Sequence, residues 1–277
     1  MLYKPKKSYA GWLGLIGCIV IFGFTLWGIN FSLGEKDQVL KIMLLVPVYL
    51  FMIVYAVFLL GAFNLVYKTD EKALYIRWGI FRQTITWDKV EEVVDIKGKP
   101  NINPFIGASW RGYAAGLFSA KGMGFVKMFA TDISSGLIYV KSGLDFYGLT
   151  PSDHSLLDEI SSRSGKPIRT IDVSTLSLEE KGESLDEDHS FKLYYRLNII
   201  FLAILAAIIG IGFPGSGAPR IIVLLLVLAV ALFAFNVGNA KRLYQFSELG
   251  SNVTLIITLF VTGMFIVLAT IGIWPLT

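Results

Sequence analysis

Five long stretches without a charged residue dominate the pattern of polar and apolar positions. They cover residues 8–34, 42–67, 197–219, 221–240 and 249–277. A helix needs about 20 predominantly apolar residues to cross the hydrocarbon layer of a bilayer, which is about 30 Å thick. We therefore predict five transmembrane helices, near residues 10–32, 43–65, 196–213, 220–238 and 253–274.

The stretch between the second and third predicted helices has a different character. Between Lys68 and Lys192 the longest charge-free run has eleven residues, which is too short to cross a bilayer. The pattern thus predicts two helices within residues 1–66, a water-soluble domain at 67–166, a tether at 167–192 and three helices within 193–277. The tether has seven acidic and three basic residues, a net charge of −4, which is typical of a solvated linker.

Composition supports a membrane protein. Hydrophobic residues make up 54% of the 277 residues and charged residues only 17%, and the mean hydropathy is +0.62. An ordinary soluble domain has about 25% charged residues. The net charge of +4 is too small to indicate a nucleic-acid partner. A single cysteine, Cys18, excludes an internal disulfide and a CxxC site.

The distribution of lysine and arginine predicts the orientation, because positive residues flank the cytoplasmic ends of transmembrane helices. With the N-terminus inside, the outer flanks carry three such residues: Lys36, Lys41 and Arg220. The inner flanks carry nine: Lys4, Lys6, Lys7, Lys68, Lys72, Lys192, Arg196, Lys241 and Arg242. We therefore expect the N-terminus and the soluble domain in the cytoplasm and the C-terminus outside.

Short β-rich runs separated by turn residues fill most of the soluble domain. Two runs surround a turn at Trp78-Gly79 within residues 73–87, and further strands are predicted at 90–96, 125–130, 137–141 and 144–147. A helix is predicted to start at residues 150–153 and to end near Gly165, since apolar residues recur at helical spacing between them. About six or seven antiparallel strands followed by one amphipathic helix suit a small curved barrel that the helix closes at one end.

The sequence of this domain is similar to that of a known family of protein domains. From about Tyr67 to Arg163 the domain resembles the bacterial pleckstrin-homology (PH) domain families of multi-span membrane proteins. The similarity lies in residues 74–79 (LYIRWG), 85–87 (ITW), 110–118 (WRGYAAGLF), 129–131 (FAT) and 146–153 (FYGLTPSD). It implies a cytoplasmic PH-like β-barrel with a C-terminal helix, inserted into a membrane all-α protein of five helices. The family is mostly uncharacterised, so the resemblance implies a fold more than a function.

Residues 98–124 have the least ordinary composition, with six glycines and two prolines. We expect a long loop here, and loops of this length are usually functional or packed down. In one interpretation, Lys97, Lys99, Arg111 and Lys121 meet anionic lipid headgroups while Phe105 and Trp110 enter the bilayer interface. In the other, Arg111 satisfies backbone carbonyls and the aromatic residues fill the core. We favour the structural interpretation for Arg111, and both remain open for the lysines. The candidate lipid or partner contacts are Lys97, Lys99, Phe105, Trp110, Arg111 and Lys121.

Motifs for catalysis are not found. The sequence has no P-loop, HExxH or GxSxG motif. His154 and His189 have no second ligand at a useful spacing, so we expect neither a metal nor a cofactor. Within the predicted helices Thr254, Thr258 and Thr262 share one face. They could line a path, but we favour hydrogen bonds to neighbouring helices or to their own helix.

These features predict a non-enzymatic, multi-pass protein of the bacterial inner membrane. Its PH-like domain would be a cytoplasmic binding module for a protein partner or for membrane lipid. One alternative is a membrane subunit that binds or moves a hydrophobic or amphipathic substrate, with the domain as a gate. Another is a signal-relay component. Beyond the lipid bilayer itself, the expected partners are anionic lipid headgroups or a membrane or cytoplasmic protein.

Overall fold

The computed structural model describes residues 1–120, 124–177, 185, 188–213, 217–244 and 246–273. The chain divides into two compact units. The first contains Met1–Ile16 and Val54–Glu183, and the second contains Gly17–Ile53 and Ser184–Thr277. Each of the first two long helices therefore contributes one end to each unit.

Six α-helices occur in the described residues. Five are long and apolar enough to cross a membrane, and they lie where the charge-free stretches predict them. The fourth helix begins seven residues before the predicted start, because the Asp188 carboxylate accepts hydrogen bonds from the backbone N–H groups of Ser190 and Phe191 and so caps it. The helices are α1 (Ala10–Ser32), α2 (Gln38–Asn64), α3 (Ser155–Ser164), α4 (His189–Gly212), α5 (Arg220–Tyr244) and α6 (Glu248–Ile273).

The first unit holds two β-sheets, one with strand order β1-β2-β3-β4 and one with strand order β11-β5-β9-β10-β8-β7-β6. The predicted strands at 73–87, 90–96, 125–130, 137–141 and 144–147 are present as β3, β4, β5, β8, β9 and β10. The bounds are β1 (Leu2–Tyr3), β2 (Val66–Thr69), β3 (Ala73–Trp78), β4 (Phe81–Thr86), β5 (Val90–Lys97), β6 (Ile102–Trp110), β7 (Tyr113–Ala120), β8 (Gly124–Ala130), β9 (Leu137–Ser142), β10 (Asp145–Leu149) and β11 (Ile168–Asp172).

The expected long loop at 98–124 is wrong, because most of it forms the antiparallel hairpin β6–β7. Gly107 and Gly116 are partners in its register. A Cβ on Gly116 would lie 2.6 Å from the Cα of Gly107, and Gly116 has a φ of +116°. The glycines therefore allow two backbones to approach closely inside a hairpin, whereas their number in the sequence indicated a loop.

Two pairings differ from the expected antiparallel arrangement. Strand β10 is parallel to β8, and β11 is parallel to β5. Residues 168–172, predicted as the start of the tether, are therefore part of the second sheet. Ile168 and Ile171 pack against the two hydrophobic clusters of the unit, and Val173 is buried beyond them. Burial of these apolar residues extends the domain past residue 166.

Helix α3 starts later than the predicted position at Thr150–Asp153. The Thr150 hydroxyl accepts a hydrogen bond from the Thr131 N–H at 2.8 Å, and Pro151 forms a β-bridge with Pro5. The Asp153 carboxylate accepts from the Ser155 N–H at 2.9 Å and so begins the helix. Gly165, with a φ of +68°, ends it as predicted.

Polar side chains in the second unit join helices to one another. The Asn198 amide on α4 donates to the Leu255 carbonyl on α6 at 3.0 Å, and the Asn236 amide on α5 donates to the Thr258 hydroxyl at 2.8 Å. The Thr254 and Thr258 hydroxyls also donate to carbonyls four residues earlier in α6. Thr258 and Thr262 are fully buried, and the Thr262 hydroxyl has no hydrogen-bond partner in the described residues. The hydrogen bonds therefore support the packing interpretation for Thr254 and Thr258 but not for Thr262.

The N-terminal strand β1 pairs with β2, and the Glu159 carboxylate joins both strands to α3. Glu159 on α3 accepts hydrogen bonds from the Tyr3 hydroxyl at 2.7 Å, the Thr69 hydroxyl at 2.9 Å and the Arg163 Nε at 2.7 Å. Burial raises the pKa of this carboxyl, but the three donors lower the pKa by more, so the pKa lies below its ordinary value of 4.5.

We predict that Glu159→Gln lowers the free energy of unfolding by about 1–3 kcal/mol at neutral pH, because three donors lose their charged acceptor. Since the folded pKa is depressed, this contribution is present above pH 4.5 and disappears as the pH falls through the folded pKa. Unfolding of the detergent-purified protein, followed by tryptophan fluorescence, should show a wild-type advantage that shrinks below pH 4.5.

The matched control is Asp158→Asn, since Asp158 is the exposed neighbour on the same helix. It should change the free energy of unfolding by less than about 0.5 kcal/mol. Equal losses in the two variants would contradict the role given to Glu159.

Candidate functional site

The ends of α1 and α2 are packed together inside the first unit. The aromatic rings of Trp12 and Phe63 meet edge to face with centroids 5.7 Å apart. Phe63 also covers Gly11, where a Cβ would lie 2.7 Å from the ring. The Tyr55 hydroxyl donates to the Gly14 carbonyl at 2.9 Å. The two helix ends therefore form one support for the neighbouring strands.

The turn between β3 and β4 lies beside α2. The Gly79 N–H donates to the Asn64 side chain at 2.6 Å, and the Asn64 amide donates to the Gly79 carbonyl at 3.1 Å. A Cβ on Gly79 would lie 3.5 Å from the Gly61 nitrogen and the Val57 oxygen, and the φ of Gly79 is +59°. The turn thus contacts the last two turns of α2 and does not lie beyond the helix end.

A buried chain of hydrogen bonds connects both sheets to α2. The Trp78 indole N–H on β3 donates to the Tyr113 hydroxyl on β7. That hydroxyl donates to the Phe58 carbonyl of α2 at 2.9 Å. Burial raises the pKa of Tyr113, so its hydroxyl keeps its proton at neutral pH. Breaking either link would leave a buried polar group without a partner.

The turn between β6 and β7 is fixed to the start of α1. The Trp110 indole N–H donates to the Ala10 carbonyl at 3.0 Å, and its ring stacks on Tyr55 with centroids 5.6 Å apart. The Ser8 hydroxyl donates to the Gly112 carbonyl at 2.7 Å and accepts from the Ala10 N–H at 3.0 Å. Trp110 therefore links β6 to α1 and α2, and its side chain is only partly exposed.

The structure separates the predicted contact residues. Arg111 is exposed in the β6–β7 turn, so it does not satisfy carbonyls inside the domain as we favoured. Lys97 and Lys99 are exposed at the other end of β6, which has nine residues and a length of about 30 Å. Phe105, partly buried within β6, packs on Phe125 with ring centroids 5.2 Å apart. Lys121 lies outside the described residues. These residues do not form one continuous surface.

A basic and apolar edge, which the sequence analysis missed, lies on the β3–β4 hairpin. Arg77 and Arg82 are register partners and are both exposed. Ile80 is 73% exposed and Phe81 is 51% exposed. No described acidic residue forms a salt bridge with either arginine. The sequence did contain a signal for this edge, because Arg77 and Arg82 are equally far from the centre of the turn. Residues spaced in this way lie on one face of the hairpin when the two strands pair.

The described residues contain no metal-binding cluster, but they do contain an apolar groove. Among them, no three histidine, cysteine, aspartate or glutamate side chains lie close enough to bind a metal ion. An open groove of about 670 Å³ between α4 and α6 is lined by apolar residues, among them Phe201, Phe260 and Met264. The exposed arginines and apolar side chains of the first unit are instead suited to binding.

Comparison with known proteins agrees with this fold. Residues 65–164 match the family model for a bacterial PH domain, which confirms the resemblance predicted for 67–163. The chain is 27% identical over 211 residues to an uncharacterised protein of Clostridium acetobutylicum, a match that covers 73% of this chain and 66% of that protein. The chain thus spans just under two thirds of that relative's length. No solved structure matches. Residues 65–164, which include the two turns that contact α1 and α2, are thus similar to the bacterial PH domain family.

Proposed function

We propose that the protein is a non-enzymatic, multi-pass membrane protein that presents a PH domain as a cytoplasmic binding module for a protein partner or for membrane lipid. The main support is the direct packing of both turns of the domain on the ends of α1 and α2, two of five helices long and apolar enough to span a bilayer. A domain held in this way lies next to the membrane surface.

The proposed orientation is supported by the distribution of positive charge. If the N-terminus is inside, nine lysines and arginines flank the inner ends of the predicted spans and three flank the outer ends. The domain and the N-terminus are then cytoplasmic, the C-terminus is outside, and the membrane is the bacterial inner membrane.

Binding is favoured over catalysis by the side chains exposed at the two turns. Arg77, Arg82 and Arg111 supply positive charge, and Ile80 and Phe81 supply apolar surface. Arginine stays protonated at neutral pH and is therefore a poor general acid or base. The same side chains are well suited to phosphate groups and to apolar partners.

A second candidate function is signal relay, because the contacts between domain and helices are direct. Ala10, Phe58 and Asn64 of the two helices each hydrogen-bond to a residue of the domain turns. A displacement of the ends of α1 and α2 would thus move the exposed residues of both turns. The two functions share the same surface and differ in whether the helices move.

Topology is tested by cysteine labelling in a Cys18→Ala background. We expect a membrane-impermeant maleimide to label Asp37→Cys, between α1 and α2, in intact cells. Glu71→Cys, in the exposed turn between β2 and β3, should react only after the membrane is permeabilised. Labelling of Glu71→Cys in intact cells would place the domain outside and contradict the proposal.

Binding is tested by purification in mild detergent, followed by mass spectrometry of protein and lipid. The wild type is compared with a variant in which a glycine-serine linker replaces residues 66–172. We expect a stoichiometric protein or an enriched lipid class in the wild-type sample alone. If the two samples carry the same proteins and lipids, the domain is not a binding module.

The coupling between domain and helix is tested by Tyr113→Phe. We expect the free energy of unfolding to fall by about 1–3 kcal/mol, because the buried Trp78 N–H loses its acceptor. Amide exchange at Gly79 should become faster, since the turn is less firmly held to α2.

Tyr139→Phe is the matched control, because the Tyr139 hydroxyl is buried without a hydrogen-bond partner in the described residues. Its removal should cost less than about 0.5 kcal/mol or stabilise the fold. Equal effects of the two substitutions would show that the Tyr113 hydroxyl does not hold the domain to α2.

A further inference from the structure

We propose that the β3–β4 turn is a membrane contact, in which Ile80 enters the edge of the hydrocarbon layer while Arg77 and Arg82 bind the phosphates of anionic lipid headgroups. The inference rests on the proposed function, because it requires α1 and α2 to cross the bilayer. It adds a ligand class and a set of binding residues to that function.

The depth of the turn follows from the length of α2. Lys41 is the last charged residue before the apolar run, which begins at Ile42. About 20 helical residues span 30 Å of hydrocarbon, so a span that begins at Ile42 ends at Gly61. The β3–β4 turn contacts α2 at Val57 and Gly61. The turn therefore lies at the level where the hydrocarbon layer ends.

The total length of the helix gives the same depth. With 27 residues α2 is about 40 Å long, about 10 Å more than the hydrocarbon thickness. Four of the surplus residues, Gln38–Lys41, precede the apolar run, so the surplus at the cytoplasmic end is Ala62–Asn64, directly beyond the Gly61 that the Gly79 turn contacts. The domain thus covers the part of α2 that emerges from the hydrocarbon.

The chemistry of the tip suits a layer of low polarity. Ile80 is 73% exposed, and transfer of such an apolar side chain from water into hydrocarbon is favourable. Both backbone polar groups of Gly79 are already hydrogen-bonded to Asn64. Backbone groups that have partners can enter a lipid environment without the cost of unsatisfied hydrogen bonds.

The two arginines lie a short distance behind the tip. Arg77 is three residues from Ile80 and Arg82 is two residues from it. At about 3.3 Å per strand residue, these separations correspond to the depth of the headgroup layer above the hydrocarbon. Like charges directly opposite each other in a hairpin are unfavourable. A lipid phosphate between Arg77 and Arg82 would remove this repulsion, and guanidinium groups can bind phosphate through two parallel hydrogen bonds.

The depth of Ile80 is tested with spin labels on the full-length protein in vesicles that contain equal amounts of phosphatidylcholine and phosphatidylglycerol. In a Cys18→Ala background, Ile80→Cys is compared with Leu144→Cys, a fully exposed apolar residue in the β9–β10 turn. We expect oxygen, which concentrates in lipid, to reach the label at position 80 and a water-soluble nickel complex to reach the label at 144.

A third label, at Val267→Cys on the exposed face of α6, reports whether the long helices are in lipid. If this label is in lipid and position 80 is reached by nickel as readily as position 144, the membrane contact is overturned while the proposed function stands. If position 267 is reached by nickel, the proposed function fails as well. A label at position 80 that is shielded from both reagents would mean that a protein covers the turn, and it would also overturn the proposal.

Headgroup binding is tested by native mass spectrometry of the full-length protein with phosphatidylglycerol and phosphatidylcholine in equal amounts. We expect Arg77→Gln with Arg82→Gln to reduce the preference for phosphatidylglycerol by about fivefold for each arginine removed. The control, Lys89→Gln with Lys166→Gln, removes the same charge from two exposed residues that are not candidate lipid contacts, and it should leave the preference nearly unchanged.

An unchanged preference in the double arginine variant would overturn the headgroup site. Inorganic phosphate in excess distinguishes a lipid from a free anion as the ligand. We expect it to leave the bound phosphatidylglycerol in place, since the lipid is also held by its acyl chains. Displacement of the lipid by phosphate would overturn the assignment to a lipid.

Discussion

The hydrogen-bonded chain from the Trp78 indole through the Tyr113 hydroxyl to the Phe58 carbonyl determines where the PH domain lies on its helices. It connects a strand from each sheet with the backbone of α2. Because the Trp78 and Tyr113 side chains are buried, loss of their hydrogen bond leaves a buried polar group without a partner. The two turns of the domain are therefore held at defined positions along the helix.

Small residues make this close packing of helices and strands feasible. Gly61 leaves room for the Trp78 ring, Gly11 for the Phe63 ring, and Gly14 lies under Trp110. With these contacts in place, the exposed side chains of the turns have a fixed height relative to the helices. Both proposed functions, the binding module and the signal relay, require this arrangement, since each needs the exposed turns to follow the ends of α1 and α2.

The polar residues of the second unit have a different role from those of the first. Asn198, Asn236 and Thr258 are engaged in contacts between α4, α5 and α6. Side chains used in this way join helices in an apolar environment, where hydrophobic burial contributes little to association. This arrangement supports α4–α6 as a packed bundle, and it gives less support to the alternative in which the threonines line a path for a substrate.

The sequence alone determined the features that depend on neighbouring residues: five long apolar helices, six of the strands, the end of α3 at Gly165 and the bacterial PH resemblance. Hydrophobic run length and turn chemistry are local properties, so they can be read without contacts. Only the tertiary structure decided the β6–β7 hairpin, the parallel pairing of β11, and the position of the Gly79 turn beside α2. These features depend on strand register and on contacts between residues far apart in the chain. Glycine allows close packing of strands as readily as it allows a loop, so its position in the sequence does not decide between the two.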